Sequence, residues 1–160
     1  MNKRNEFIVF ILDEQKIALH LSAVDRVVMA AEITTLPKAP DIVLGIINVG
    51  GKIIPVVNTR KRFRLPDREM HLTDQFIMAH AARRTVALLV DTVTDIIETA
   101  PQEMIAAAEV FPNLEYVEGV VKLKDGLILI HNLDTFLSLE EETALEEAIK
   151  KQQADKVNSI

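Results

Sequence analysis

Gly45-Ile46-Ile47-Asn48-Val49-Gly50-Gly51-Lys52-Ile53-Ile54-Pro55-Val56-Val57 reads as two short apolar runs, rich in β-branched residues, around a pair of glycines. Glycine has no Cβ and enters the positive-φ region freely, so Gly50-Gly51 has the chemistry of a two-residue hairpin turn. The same unit recurs downstream. A shift of 74 positions lays Gly45-Ile46-Ile47 on Gly119-Val120-Val121, Ile53-Ile54 on Leu127-Ile128, and Asn58 on Asn132, with Asp125-Gly126 as the second turn. Upstream, a shift of 69 positions lays Phe7-Ile8-Val9 on Phe76-Ile77-Met78, Ile17-Ala18-Leu19 on Val86-Ala87-Leu88, and Val24–Val28 on Val93–Ile97. The five-position difference falls in two connections, Ala30–Leu44 and Thr99–Glu118, which Pro37, Pro40, Pro101 and Pro112 mark as loop. The sequence is therefore one unit used twice.

Each copy is expected to supply a hairpin, a third strand, a long connection and a second hairpin. Five short, curved strands are enough to close or nearly close a small barrel, which removes exposed edges. The expectation is a mainly β protein of two five-stranded barrels, the first over about 15–75 and the second over about 76–137, with the N-terminal strand as the piece that could be exchanged. Pro55 cannot donate a ladder hydrogen bond, so its strand should lie at an edge or carry a bulge. After Ser138 the character changes: Ser138 with Glu141 forms a capping box, acids fill the first turns, and Lys150 and Lys151 follow. That predicts a helix over about 139–153, docking on a barrel through Leu145, Ala148, Ile149 and Gln152, with Gln153–Ile160 frayed.

Of the 160 residues, 49% are hydrophobic and none is cysteine, which leaves neither disulfides nor thiolate metal sites. No apolar run is long enough to span a bilayer, and the stretch Phe7–Leu12 stops at Asp13-Glu14, too soon for a signal peptide. The expected setting is the cytoplasm. A net charge of −6 argues against nucleic acid, and the cluster Arg60-Lys61-Arg62-Phe63-Arg64 is no more than a short solvated run. Catalysis finds no support. The three serines are not in a nucleophile elbow, His20, His71, His80 and His131 have no metal-ligand spacing, and Gly50-Gly51-Lys52 lacks the rest of a phosphate loop. His20 and His131 read as structural histidines near strand ends. No enzyme, cofactor or metal is expected.

The segment Leu36-Pro37-Lys38-Ala39-Pro40 through Gly45-Ile46-Ile47-Asn48, Gly51 and Arg60 resembles the CheW-type family of bacterial chemotaxis coupling proteins. The likeness continues through Val86–Val93, Ile96–Glu98, Tyr116–Val120, Asp125–Ile130 and Leu133–Leu137. It implies two SH3-like barrels in a non-enzymatic scaffold. Such scaffolds bridge the cytoplasmic tips of chemoreceptors to the regulatory domain of a CheA-type histidine kinase and are recruited to membrane receptor arrays without inserting into the membrane. By position, the resemblance implies a receptor groove built from Val24, Val27, Ile33, Thr34, Gly45, Ile47 and Val49. For the aliphatic members, core packing accounts for the residue type as readily, since alternation buries half of any strand, and Gly45 could equally be a backbone necessity.

Three departures from the family pattern bear on partner choice. The usual Glu of a Val-x-Glu-Val strand is Arg26, and the usual Arg of Asn-Leu-Arg-Gly is Gly50. The resemblance implies that those opposite charges support the receptor region as a pair. Here one has changed sign and the other is gone, so like charges do not face each other. Asn58 and Thr59 stand where Asp-Leu is usual, and Arg60 alone of that trio is kept. Arg26, Gly50 and Arg60 join the candidate partner-binding residues of a divergent coupling protein. A scaffold of the same kind in a non-chemotaxis pathway, or a small-ligand-binding barrel, remains an open alternative at this stage.

Overall fold

The computed structural model describes residues 5–106, 117–123 and 126–158, with side chains to Gln153. Eleven strands are described: β1 Asn5–Leu12, β2 Gln15–His20, β3 Val24–Met29, β4 Val43–Val49, β5 Lys52–Val57, β6 Gln75–His80, β7 Thr85–Val90, β8 Thr92–Thr99, β9 Met104–Ala106, β10 Val117–Leu123 and β11 Gly126–His131. A short helix, α1 Thr59–Arg62, follows β5, and a long one, α2 Leu139–Asn158, ends the described chain. Tyr116, Pro112 and the first turn residue, Asp125, lie outside the described residues.

The strands form two sheets, ordered β8-β1-β2-β11-β10-β9 and β3-β6-β7-β5-β4. Neither sheet is one copy of the repeat. The first hairpin of the first copy, β1-β2, sits among the later strands of the second, and β6-β7 sits among those of the first. The sheets thus cut across the expected boundary at 75/76, and a whole hairpin, not a single strand, crosses in each direction. Register follows the repeat: Ala18 faces Ile130 as Ala87 faces Val56, and both of these pairings are parallel. Bulges recur too, between Val117 and Gly119 and between Val43 and Gly45. One asymmetry is β9, whose counterpart in the other sheet is a single bridge between Thr34 and Ile46.

Each sheet curls round its own small core. Phe7, Val9, Ala18, Val121, Ile128 and Ile130 fill the first, with Ile97 of edge strand β8 and Met104 of edge strand β9 both packed against it. Ile47, Ile54, Val56, Phe76, Met78 and Ala87 fill the second, with Val28 of β3 and Val49 of β4 both packed against it. The largest cluster lies between the sheets. Ile8, Phe10, Leu12, Ile17 and Leu19 on one side pack with Ile77, Ala79, Val86, Leu88 and Val90 on the other. The two exchanged hairpins are therefore buried on both faces, which is why Phe7–Phe10 and Phe76–Ala79 read as unbroken apolar runs instead of alternating.

Two sequence details acquire reasons. Pro55 does not lie on an edge strand, because β5 has β4 on one side and β7 on the other. The β7 ladder covers only Val56 and Val57, however, so at Pro55 the strand has one neighbour. Gly45 is a backbone necessity: a Cβ there would stand 2.2 Å from the Thr34 carbonyl oxygen, and at its repeat partner Gly119 one would stand 2.8 Å from that of Ile105. In both sheets a crossing segment presses on the strand at that point. At Gly50 and Gly51 the φ angles are 58° and 86°, as a two-residue turn of the predicted kind needs, and the Asn48 side-chain oxygen accepts from the Gly51 amide at 2.9 Å.

The capping box forms as expected: the Glu141 amide donates to Ser138 Oγ at 3.1 Å and the Ser138 amide to Glu141 Oε1 at 2.8 Å. Beyond it α2 runs past the predicted end to Asn158, seating Leu145 and Ala148 fully in the central core, with Ile149 half-buried against it. Ion pairs from Arg62 to Glu141 and from Arg84 to Glu142 fasten its first turn. Gly45→Ala should lower unfolding free energy by about 2 kcal/mol or more in urea titration, the scale of forced overpacking. Gly50→Ala, with open space around it and only the left-handed backbone to resist, should lose about 1 kcal/mol.

Candidate functional site

The candidate residues fall into three places. Val24 and Val27 on β3 are half-buried against the central core, so they face inward. Ile33, Thr34, Gly45 and Ile47 meet where the Ile33-Thr34 segment crosses β4. There Thr34 and Ile46 exchange backbone hydrogen bonds of 2.9 and 2.8 Å, and Ile47 is buried with Ile33 against it. Arg26 and Val49 come together at the open end of the second sheet.

That open end is a cleft of about 520 Å³. Its floor is Met78, Ile54 and Pro55, and one wall is Val49, Gly51, Lys52 and Ile53 from the β4-β5 hairpin, with Gly50 at the hairpin tip. Opposite stand Asp25 and Arg26, while Arg84, Thr85 and two residues of α2, Ile149 and Gln153, complete the rim. Arg26 pairs in register with Met78 and shares the inward parity of Val28, so its guanidinium stands over the mouth of the barrel. Of the lining residues only Arg26 and Val49 were candidates from the sequence; Lys52, Arg84, Ile149 and Gln153 are among those it did not assemble. The apolar stripe of the C-terminal helix was the available signal, but not where that helix would lie.

Arg60 is placed elsewhere and is not free. It is buried, with Nη1 2.6 Å from Asp13 and Nη2 2.8 Å from Asp91, and it also donates to the Pro66 carbonyl at 3.1 Å. Asp91 in turn accepts from Arg68 at 2.7 Å, and Arg68 grips Asp74 at 2.7 and 3.0 Å. This chain of charges joins the β1-β2 turn, the β7-β8 turn and the loop before β6. Burial by itself would raise the Asp74 carboxyl, but hydrogen bonds from the Arg68 guanidinium and the His71 amide hold it below the usual carboxylate range. The Arg68 guanidinium is raised by the same bond, against the cost of its own burial. Asn58 and Thr59, unusual by the family pattern, are local fasteners: Asn58 Oδ1 accepts from the Lys61 amide at 3.1 Å and Thr59 Oγ1 donates to the Leu89 carbonyl.

His131 is fully buried, ringed by Phe63 at 5.1 Å and Phe136 at 4.4 Å between centroids, and neither ring nitrogen has a hydrogen-bond partner. Desolvation first, then the charge of nearby Arg62, lowers its pKa to about 3. It is a neutral core residue, standing where the other copy has Val57. Among the described residues no three His, Asp or Glu side chains converge as metal ligands, and no described helix is long and apolar enough to cross a membrane.

A family model for the CheW-like domain matches residues 6–141, taking in both sheets. This chain belongs to the CheW-like domain family. It is 28% identical over 145 residues to the chemotaxis protein CheW of Rhizobium meliloti, covering 89% of this chain and 94% of that one. It is likewise 28% identical over 147 residues to the chemotaxis protein CheW of Thermotoga maritima, covering 92% and 95%. The crystal structure of the scaffolding protein TtCheW from Thermoanaerobacter tengcongensis superposes with a TM-score of 0.79 at 29% identity, over 87% of this chain and 96% of that one. The two-sheet architecture expected from the repeat is thus that of a CheW-like fold.

Two outcomes follow for the buried polar groups. Arg60→Met should cost about 2 kcal/mol, because it leaves Asp13 without its cation and Asp91 with Arg68 alone, whereas Lys61→Met, at an exposed 3.8 Å pair with Asp41, should change stability by less than about 0.5 kcal/mol. Between pH 6.5 and about 3 the unfolded chain binds a proton at His131 that the native chain does not. Stability should therefore fall on acidification by up to about 1.4 kcal/mol per pH unit through that window. His131→Leu should remove this part of the slope, as followed by urea midpoints at several pH values.

Proposed function

We propose that this chain is a non-enzymatic scaffold of chemotaxis signalling that couples the cytoplasmic tips of chemoreceptors to a CheA-type histidine kinase. The observation that carries the reading is the CheW-like match across both sheets, joined by the fold shared with a scaffolding protein of that family. The chemistry is consistent with it. The cleft is half-apolar and its lining assembles no nucleophile, base and orienting group, which suits recognition of a side-chain ridge.

Within this reading, the receptor's helical tip lies in the cleft bounded by Arg26, Val49 and α2. Ile33, Thr34, Gly45 and Ile47 act beneath it, fixing the hairpin that forms its wall, and Arg60 acts only by tying the loops together. The kinase's regulatory domain meets the ends of the barrels. Contacts at such ends repeat in series without closing, which lets one small protein extend an array at the membrane surface.

The test is reconstitution from purified parts: the chain, the CheA-type kinase of its own cell and a receptor signalling fragment from the same source. The expected result is a ternary complex on sedimentation, with kinase autophosphorylation that depends on the chain. A chain that binds neither partner, or binds both without linking them, would overturn the assignment.

A further inference from the structure

The cleft at the open end of the second sheet carries an unbalanced charge. Of the ionic groups on its rim, Asp25 is held by His80 at 2.8 Å and Arg84 by Glu142 at 3.0 Å. Arg26 and Lys52 both line the opening, both are exposed, and neither side chain makes an ion pair or hydrogen bond with another described residue. The apolar part of the lining is Val49, Ile53, Ile54, Pro55, Met78 and Ile149, with Thr85 and Gln153 as its uncharged polar members. Gly50 adds nothing to the balance, and its neighbourhood is empty. Two unpartnered cations thus flank an apolar slot on a chain whose net charge is −6.

We infer that the cleft selects an amphipathic helix whose apolar ridge is flanked by acidic side chains, one meeting Arg26 and one meeting Lys52. The inference rests on the adaptor reading only for placing the receptor tip in this cleft, and it adds the chemistry that tip must have. An apolar ridge along i, i+3 and i+7 fills a slot of this size, and opposite charges at the rim set orientation and partner choice more than affinity. Each of the two free cations asks for an anion. The net charge of −6 opposes an acidic helix at long range, so the attraction has to come from local cations such as these.

Two synthetic helical peptides with the same apolar ridge, one flanked by Glu and one by Lys, are titrated against the full chain by fluorescence anisotropy. The Glu-flanked peptide should bind roughly fivefold tighter or better at low ionic strength, with the gap closing as salt is raised. In the double variant Arg26→Glu with Lys52→Glu the order should reverse, while the thermal midpoint stays put because neither side chain is paired in the fold. Equal binding, a preference for the Lys-flanked peptide, binding of neither, or a preference that the double variant leaves intact would overturn the inference. The two readings fail separately. A chain that couples receptor to kinase yet shows no charge preference loses only this inference, and one that shows the preference but never couples loses only the adaptor role.

Discussion

Everything in this fold depends on burying two hairpins from both sides at once. β1-β2 and β6-β7 each turn one face into a barrel and the other into the seam between barrels, where Ile8, Phe10 and Leu19 meet Ile77, Val86 and Leu88. Each such side chain taken fully out of water is worth about 1.5–3 kcal/mol, so the seam is a main store of stability and not a loose contact between domains. Among the described residues no strand ladder joins the two sheets, so this packing and the chain that crosses between them hold the barrels together. The chain also reinforces the seam from outside, with Leu145 and Ala148 of α2 on one side and the Asp13–Arg60–Asp91–Arg68–Asp74 chain of charges at the turns.

Such a body suits a scaffold. A protein that holds two partners at a set geometry gains from having no hinge, and here neither barrel has a core of its own large enough to move freely. The same rigidity positions the proposed recognition surface. The Gly45 crossing and the Gly50-Gly51 turn aim one hairpin as a wall, while α2, pinned by Glu141 and Glu142, supplies the other side of the cleft.

Much of this was legible in the sequence. The repeat, both hairpins, the Ser138 capping box and the family likeness all rest on local spacing, and local spacing survives folding. Exchange of the N-terminal strand was foreseeable, but not that whole hairpins cross in both directions. Val24–Val28 and Val93–Ile97 are near-equivalent partners for the hairpins, so pattern alone cannot say which copy's strand each hairpin takes. The continuous apolar runs Phe7–Phe10 and Phe76–Ala79 hinted that both faces are covered, without saying by what. Arg60 shows the other limit. A buried arginine between Asp13 and Asp91 joins positions far apart in the chain, so its neighbours in sequence made it look like part of a solvated run. Lys52 and Ile149 joined the cleft only once the hairpin and α2 had positions.

The most direct test of the central claim is native-state hydrogen exchange on the full chain, comparing the unaltered protein with Phe10→Ala in the seam. If the exchanged hairpins make one cooperative unit, amides of β1-β2 and of β6-β7 should lose protection together, by the same free energy of about 3–5 kcal/mol. Loss confined to the sheet that contains Phe10, with the β3-β6-β7-β5-β4 sheet still at full protection, would show two independent barrels and contradict the account.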